Sequence, residues 1–206
     1  AFVARPGREA KMRLPPAGRL IECAAMTSPR RRAWKQFRRR FQRFTPRSLD
    51  SRADRLRAWL DMMLVDHGLV RALYANRHRV APGVERSAQP SPAMLERAAR
   101  RGVRTVVNLR GARPNCGSWV LEDAACARLG LTLVNLSTSS RKVPSREQLL
   151  ALLDALKTME APALLHCKSG CDRAGFASAL YLLAAANRPA AEALGQRHVN
   201  VRDLAR

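Results

Sequence analysis

His166-Cys167-Lys168-Ser169-Gly170-Cys171-Asp172-Arg173 carries most of the chemistry this chain can offer. A thiol stands near its start and a guanidinium at its end, with five residues between them and Gly170 in the middle. Ala163-Leu164-Leu165 leads in as an apolar strand, and a helix-like run from Ala174 to Ala186 leads out. A short loop between a strand and a helix aims its backbone N–H groups inward, where an anion can sit. An arginine at the loop's end can grip two oxygens of a phosphate with its planar fork. The same positive surroundings favour the thiolate, so Cys167 is the candidate nucleophile and Arg173 the candidate phosphate clamp. His166, Lys168, Ser169, Gly170 and Cys171 are the remaining candidate binding residues of the loop.

The elements around this loop read as a layered α/β domain. Val84 to Ala88 is a short strand, and Ser91-Pro92 opens a helix that runs to Arg101 and stops at Gly102. Val103 to Leu109 is β-rich, Ser118 to Leu129 helical, and Leu131 to Leu136 a strand. Ser145 with Gln148 forms a capping box for a leucine-rich helix to Met159. Ala163 to His166 is the last strand, and a short helix-like stretch, Pro189 to Arg197, comes after the long C-terminal helix. Strands alternating with helices predict a central, mainly parallel sheet of about four to five strands flanked by helices. Ligands of such sheets sit at the carboxyl ends of strands, where Cys167 falls.

Upstream the composition changes. Of the net charge of +22, residues 1–60 supply +13, from 17 Lys+Arg against 4 Asp+Glu. Residues 1–28 read as a disordered or upstream arm, 29–76 as a basic helical extension and 77–206 as the catalytic domain, the last expected to be cut short at its C-terminus. Residues 30–47 hold nine Lys+Arg and no acid, with Trp34, Phe37, Phe41 and Phe44 on one helical face. Such a helix either packs its aromatics against the domain or lies on an anionic membrane surface. No recognition motif supports nucleic-acid binding. Ser51 to Tyr74 reads as a further helix, ended or kinked at His67-Gly68, with Leu56, Trp59, Leu60, Met63 and Leu64 on one side. His67 and His78 read as surface or core histidines.

Hydrophobic residues make up 47% and charged residues 26%, as in a globular chain with a core. No apolar run reaches the roughly 18–20 residues of a membrane span, and no signal peptide is visible. The five cysteines form no disulfide framework and no zinc spacing, so a reducing cytoplasm is the expected location, with peripheral membrane attachment as a variant. No cofactor or metal is expected.

The loop resembles the signature of the cysteine-dependent phosphatases, and within them bacterial tyrosine-phosphatase-like proteins of the dual-specificity type. Arg86-Ser87-Ala88-Gln89-Pro90 and Val107-Asn108-Leu109-Arg110-Gly111 are also similar to that group, and the likeness extends over about residues 65–200. The resemblance implies a phosphocysteine mechanism. Cys167 attacks phosphorus, Arg173 and the amides of Lys168 to Arg173 hold the equatorial oxygens, and His166 orients the loop. It also implies phosphorylated substrates: phosphotyrosine or phosphoserine proteins, or the head groups of phospholipids, toward which Lys168 adds charge. Trp119 and Tyr181 are the aromatics in question for stacking, the latter expected to face the core.

Three departures from that pattern stand out. The stretch Ser137 to Pro144, where relatives carry the acid, has no carboxylate, so Asp172 takes its place as candidate general acid. Ala174 stands where a thiolate-stabilising hydroxyl is usual, which predicts slow phosphoenzyme breakdown, a substitute such as Ser169, or a domain that binds phosphate and turns over poorly. Cys171 could form a reversible disulfide with Cys167, although a small residue tolerated in the loop is the plainer reading.

Overall fold

The computed structural model describes residues 33, 36–40, 48–140 and 143–196. The expectations for residues 1–28, and for Trp34, Phe41 and Phe44, lie outside them. Phe37 is described and half-exposed.

Five strands form one sheet in the order β1-β2-β5-β3-β4: β1 His78–Ala81, β2 Val84–Ser87, β3 Thr105–Asn108, β4 Thr132–Asn135 and β5 Ala163–His166. β1 pairs antiparallel with β2, and the other pairings are parallel. The mixed sheet flanked by helices is the expected class. β1 was not foreseen, because His78-Arg79-Val80-Ala81 has little β-branched or aromatic content and sits at an edge.

Side chains alternate across the sheet with the strand period of two. Val107 and Leu165 face a cluster with Leu152 and Leu182, from the helices Arg146–Thr158 and Asp172–Ala184. Val106 and Leu164 face the opposite way, onto Leu95 and Cys126 from the helices Pro92–Arg100 and Gly117–Leu129. Both faces are covered, as parallel sheets require. Full burial of one leucine such as Leu165 contributes about 1.5–3 kcal/mol. The helix starts match their sequence signals. Ser91 Oγ accepts from Met94 N, and Ser145 and Gln148 form the reciprocal capping box.

The segment before the sheet breaks at His67-Gly68, as its sequence suggests, and differs in carrying a π-helical turn ahead of that break. It consists of a helix over Arg52–Leu60, a π-helical turn over Asp61–Val65 and a separate helix over Gly68–Leu73. His67, at φ 61°, makes the break. The buried face is not the leucine-tryptophan side. Leu56, Trp59 and Leu64 are about half-exposed, while Ala58, Asp61, Met62, Val65 and Asp66 are buried. Two aspartates decide this rotation, because each finds donors inside the domain. Asp61 accepts from the N–H of Gly117. Asp66 meets the cluster described below. No helix among the described residues is long and apolar enough to cross a membrane.

Candidate active site

The carboxyl ends of β2, β5 and β3 lie level, with Ser87 and Asn108 both paired to His166. Cys167 leaves β5 at this level, and the loop turns over it into the first turn of the helix Asp172–Ala184. Cys167 is buried, and its Sγ accepts from the N–H of Gly170 at 3.2 Å. A backbone donor on the sulfur stabilises negative charge there. Gly170 has φ +77°, and a Cβ on it would lie 2.7 Å from Ala88 N and from the Ser87 carbonyl carbon. Only glycine lets the loop turn this close to the end of β2.

Arg173 is aimed by main-chain carbonyls. Its Nη1 donates to Leu109 O at 3.3 Å and to Thr138 O at 3.4 Å. Leu109 belongs to a turn tied by Asn108, whose Oδ1 accepts from Arg110 N and whose Nδ2 reaches Gly111 O. On its other side the loop is braced by Asn76, which donates to Ser169 O at 2.8 Å and to Cys171 Sγ at 3.1 Å. Asn76 Oδ1 accepts from Tyr74 Oη and lies 2.7 Å from His78 Nε2, which gives His78 a local partner. Burial pushes the Cys171 thiol up, against the bonds from Ser169 and Asn76. Cys116, Cys126 and Cys167 are free thiols.

A buried polar chain joins the two residues that flank Cys167. Lys168 Nζ lies 3.3 Å from Asp66 Oδ1. Asp66 takes both Nη atoms of Arg110, at 2.7 and 2.9 Å, and the hydroxyl of Ser118 at 2.7 Å. Arg71 donates to the Asp66 carbonyl. Arg110 also donates to Gln89 Oε1 at 2.7 Å, and Gln89 Nε2 donates to Glu122 Oε2 at 2.9 Å. Glu122 Oε1 lies 2.7 Å from His166 Nε2. Burial by itself would raise the Asp66 carboxyl, but the charges of Arg110, Lys168 and Arg71 outweigh it and hold the group well below the usual carboxylate range. Removing one member of a buried pair of this kind costs about 3–5 kcal/mol.

Asp172 is exposed at the start of its helix. It lines a cleft of about 630 Å³ with Arg173, Phe176, Thr138 and Ser139. The structure therefore brings Asp172 and the carboxylate-free stretch to the same cleft. Ser169 is exposed on the loop, and Ala174 is fully buried behind it. Tyr181 is half-buried against the core, as expected, and Trp119 donates to Asn135. Among the described residues, no group of three or more His, Cys, Asp or Glu is placed to hold a metal ion. Sequence reasoning did not single out Asn76, Asp66 or Glu122. Gln89 and Arg110 appeared only within quoted motifs.

A family model described as "DSP-PTPase phosphatase fused to NAD+ Kinase" matches residues 76–205. Two proteins of Xylella fastidiosa, from strains Temecula1 and 9a5c, are each named beta-lactamase hydrolase-like protein. Both are 34% identical over 119 residues, which is 54% of this chain and 26% of theirs. The chain thus spans about a quarter of the length of these curated relatives. Among solved structures, TpbA of P. aeruginosa is 25% identical with a TM-score of 0.48, covering 61% of this chain and 73% of its own. The core catalytic domain of the PP-IP phosphatase SIW14 from S. cerevisiae is 18% identical with a TM-score of 0.44, covering 63% and 90%.

Proposed function

We propose a specific chemistry for a chain that belongs to the family of DSP-PTPase phosphatases fused to NAD+ kinase: phosphoric monoester hydrolysis through a phosphocysteine on Cys167. The observation that carries this reading is the Gly170 N–H on Cys167 Sγ at 3.2 Å, inside a strand–loop–helix that ends at Arg173.

In the first step the Cys167 thiolate forms an S–P bond as the ester P–O bond breaks. Asp172 gives its proton to the leaving oxygen. Arg173 and the loop amides hold the three equatorial oxygens, where charge gathers in the transition state. In the second step the Asp172 carboxylate takes a proton from water, whose oxygen attacks phosphorus. The S–P bond breaks and the thiolate returns. Asp172 fits this role because it lines the cleft that Arg173 enters, opposite a stretch without a carboxylate. The expected substrate is a phosphotyrosine- or phosphoserine-type protein. The half-exposed Phe176 gives the cleft an apolar wall suited to an aryl phosphate.

A second reading is favoured by a separate observation. Leu56, Trp59 and Leu64 are half-exposed beside the exposed Arg52, Arg55 and Arg57. An apolar stripe edged by arginines suits an anionic membrane surface and a phospholipid head-group substrate.

The test is phosphate release from a phosphotyrosine peptide and from phosphoinositide vesicles, with wild type beside Cys167→Ser. Turnover that depends on Cys167 supports the mechanism, and the preferred panel member decides between the two substrate classes. Equal release by Cys167→Ser overturns the mechanism. Tight oxyanion binding without release in wild type makes this a phosphate-recognition domain and points to Ala174.

A further inference from the structure

The chain of buried side chains ends on the loop from two directions, and both routes meet at Asp66. This residue closes the π-helical turn Asp61–Val65, with its N–H on Asp61 O at 2.9 Å. It lies outside residues 76–205, which the family model matches. Its side chain is fully buried, yet it pairs with a side chain of the phosphate loop itself, that of Lys168. Lys168 is also held through its main chain, since its carbonyl accepts from Gln89 N at 3.3 Å. Gln89 in turn is bound to Arg110, which Asp66 holds with both oxygens. The residue next to the nucleophile is therefore gripped at two points by one network.

We propose that Asp66 is a positioning residue for the phosphate loop, and that it acts through Lys168, with Arg110 as its second anchor. The proposal rests on the reading of the loop as a phosphate site. Lys168 serves here as a brace: its ammonium is drawn toward the buried carboxylate rather than offered to substrate. The segment 52–74 thereby contributes to the site without touching the phosphate.

The sign of one measurement separates this role from plain electrostatics. Asp66→Asn removes a negative charge close to an anion site. By Coulomb's law alone, that change tightens anion binding. If Asp66 positions the loop, the same change weakens binding, because the amides and Arg173 no longer converge. The probe is tungstate, an inert oxyanion of phosphate shape, titrated calorimetrically into the full chain. We expect Asp66→Asn to weaken tungstate several-fold and to lower kcat/KM by about 10- to 100-fold, the scale at which small misplacements cost rate. Asp61→Asn, at the neighbouring buried carboxylate, leaves tungstate affinity within twofold. In a Lys168→Met background, Asp66→Asn has a smaller further effect, because only the route through Arg110 and Gln89 to the Lys168 carbonyl is left for it to break. Tungstate affinity equal to or tighter than wild type in folded Asp66→Asn overturns the proposal. So do Asp66→Asn and Lys168→Met losses that simply multiply.

If Asp66→Asn does not fold, Lys168→Met carries the test. A loss in kcat together with a loss in tungstate affinity that added salt does not alter supports the brace. A loss confined to KM that fades with added salt identifies a substrate-binding cation and overturns it. Tungstate binding needs no turnover, so a wild-type chain that hydrolyses nothing defeats the hydrolase reading while leaving this comparison intact.

Discussion

Gly170→Ala tests how the loop is built, and two separate costs can be worked out for it. The first is conformational: Gly170 has φ +77°, and an alanine there costs about 1–2 kcal/mol. The second is steric. The new Cβ would lie 2.7 Å from Ala88 N and from the Ser87 carbonyl carbon. These are backbone atoms at the end of a paired strand, so they cannot swing away as a side chain could. Overpacking of this kind costs about 1–3 kcal/mol, for a total of about 2–5 kcal/mol. Gly130→Ala isolates the first cost, because Gly130 has φ +66° with nothing within 4 Å of the added carbon. It should lose about 1–2 kcal/mol and no activity. Relief of the clash at Gly170 moves the amide that points at Cys167 Sγ, so kcat/KM should fall by about 100-fold. Urea unfolding measures the stability difference, and initial rates measure the activity. If both variants lose the same stability, and Gly170→Ala stays within threefold of wild-type kcat/KM, then the close approach does not hold the loop and the reasoning fails.

Gln89→Met severs the link between Arg110 and Glu122 at near-constant volume. It leaves Glu122 Oε2 without its donor and should cost about 1–3 kcal/mol in urea unfolding; no loss would mean the link is not needed. Asp66 predicts an acid arm in stability. Its folded-state carboxyl binds a proton more weakly than the unfolded one, which titrates near about 3.9. Its contribution is complete above about pH 5 and is lost as the pH falls below about 4. Asp61, raised by burial, works in the opposite direction, so the test is the difference between variants. Asp66→Asn should flatten the acid arm of the urea midpoint, and an arm as steep as wild type refutes the assignment. Ser145→Ala removes the capping box of the helix Arg146–Thr158 and should cost about 1 kcal/mol with kcat unchanged. An unchanged urea midpoint would show that the cap contributes nothing.

The parts legible in the sequence are those specified by neighbours along the chain. The loop proposed to hold phosphate spans one strand end, one turn and one helix start, so the order of residue types predicts its shape. The sheet class follows from alternating apolar runs, and the helix starts follow from Ser91 and Ser145, each acting on a residue three positions away. The segment 52–74 shows where such reasoning ends. Its large apolar residues share one side, yet another face is turned inward, where Asp61 and Asp66 accept from donors elsewhere in the fold.

Partners far apart in sequence could be set only by the tertiary structure. Asp66 meets Arg110 across 44 positions and Ser118 across 52, and Gln89 meets Glu122 across 33. No local pattern marks such pairs, because a charged residue on a helix reads as solvent-facing until its partner is brought to it. The sequence by itself marked the residues proposed for the chemistry: Cys167, Arg173 and the turn between them. Only the packing of the 52–74 segment against the helix Gly117–Leu129 and the turn at Arg110 placed the residues proposed to hold that turn. A carboxylate becomes a brace only when burial removes its water and fixed cations replace it.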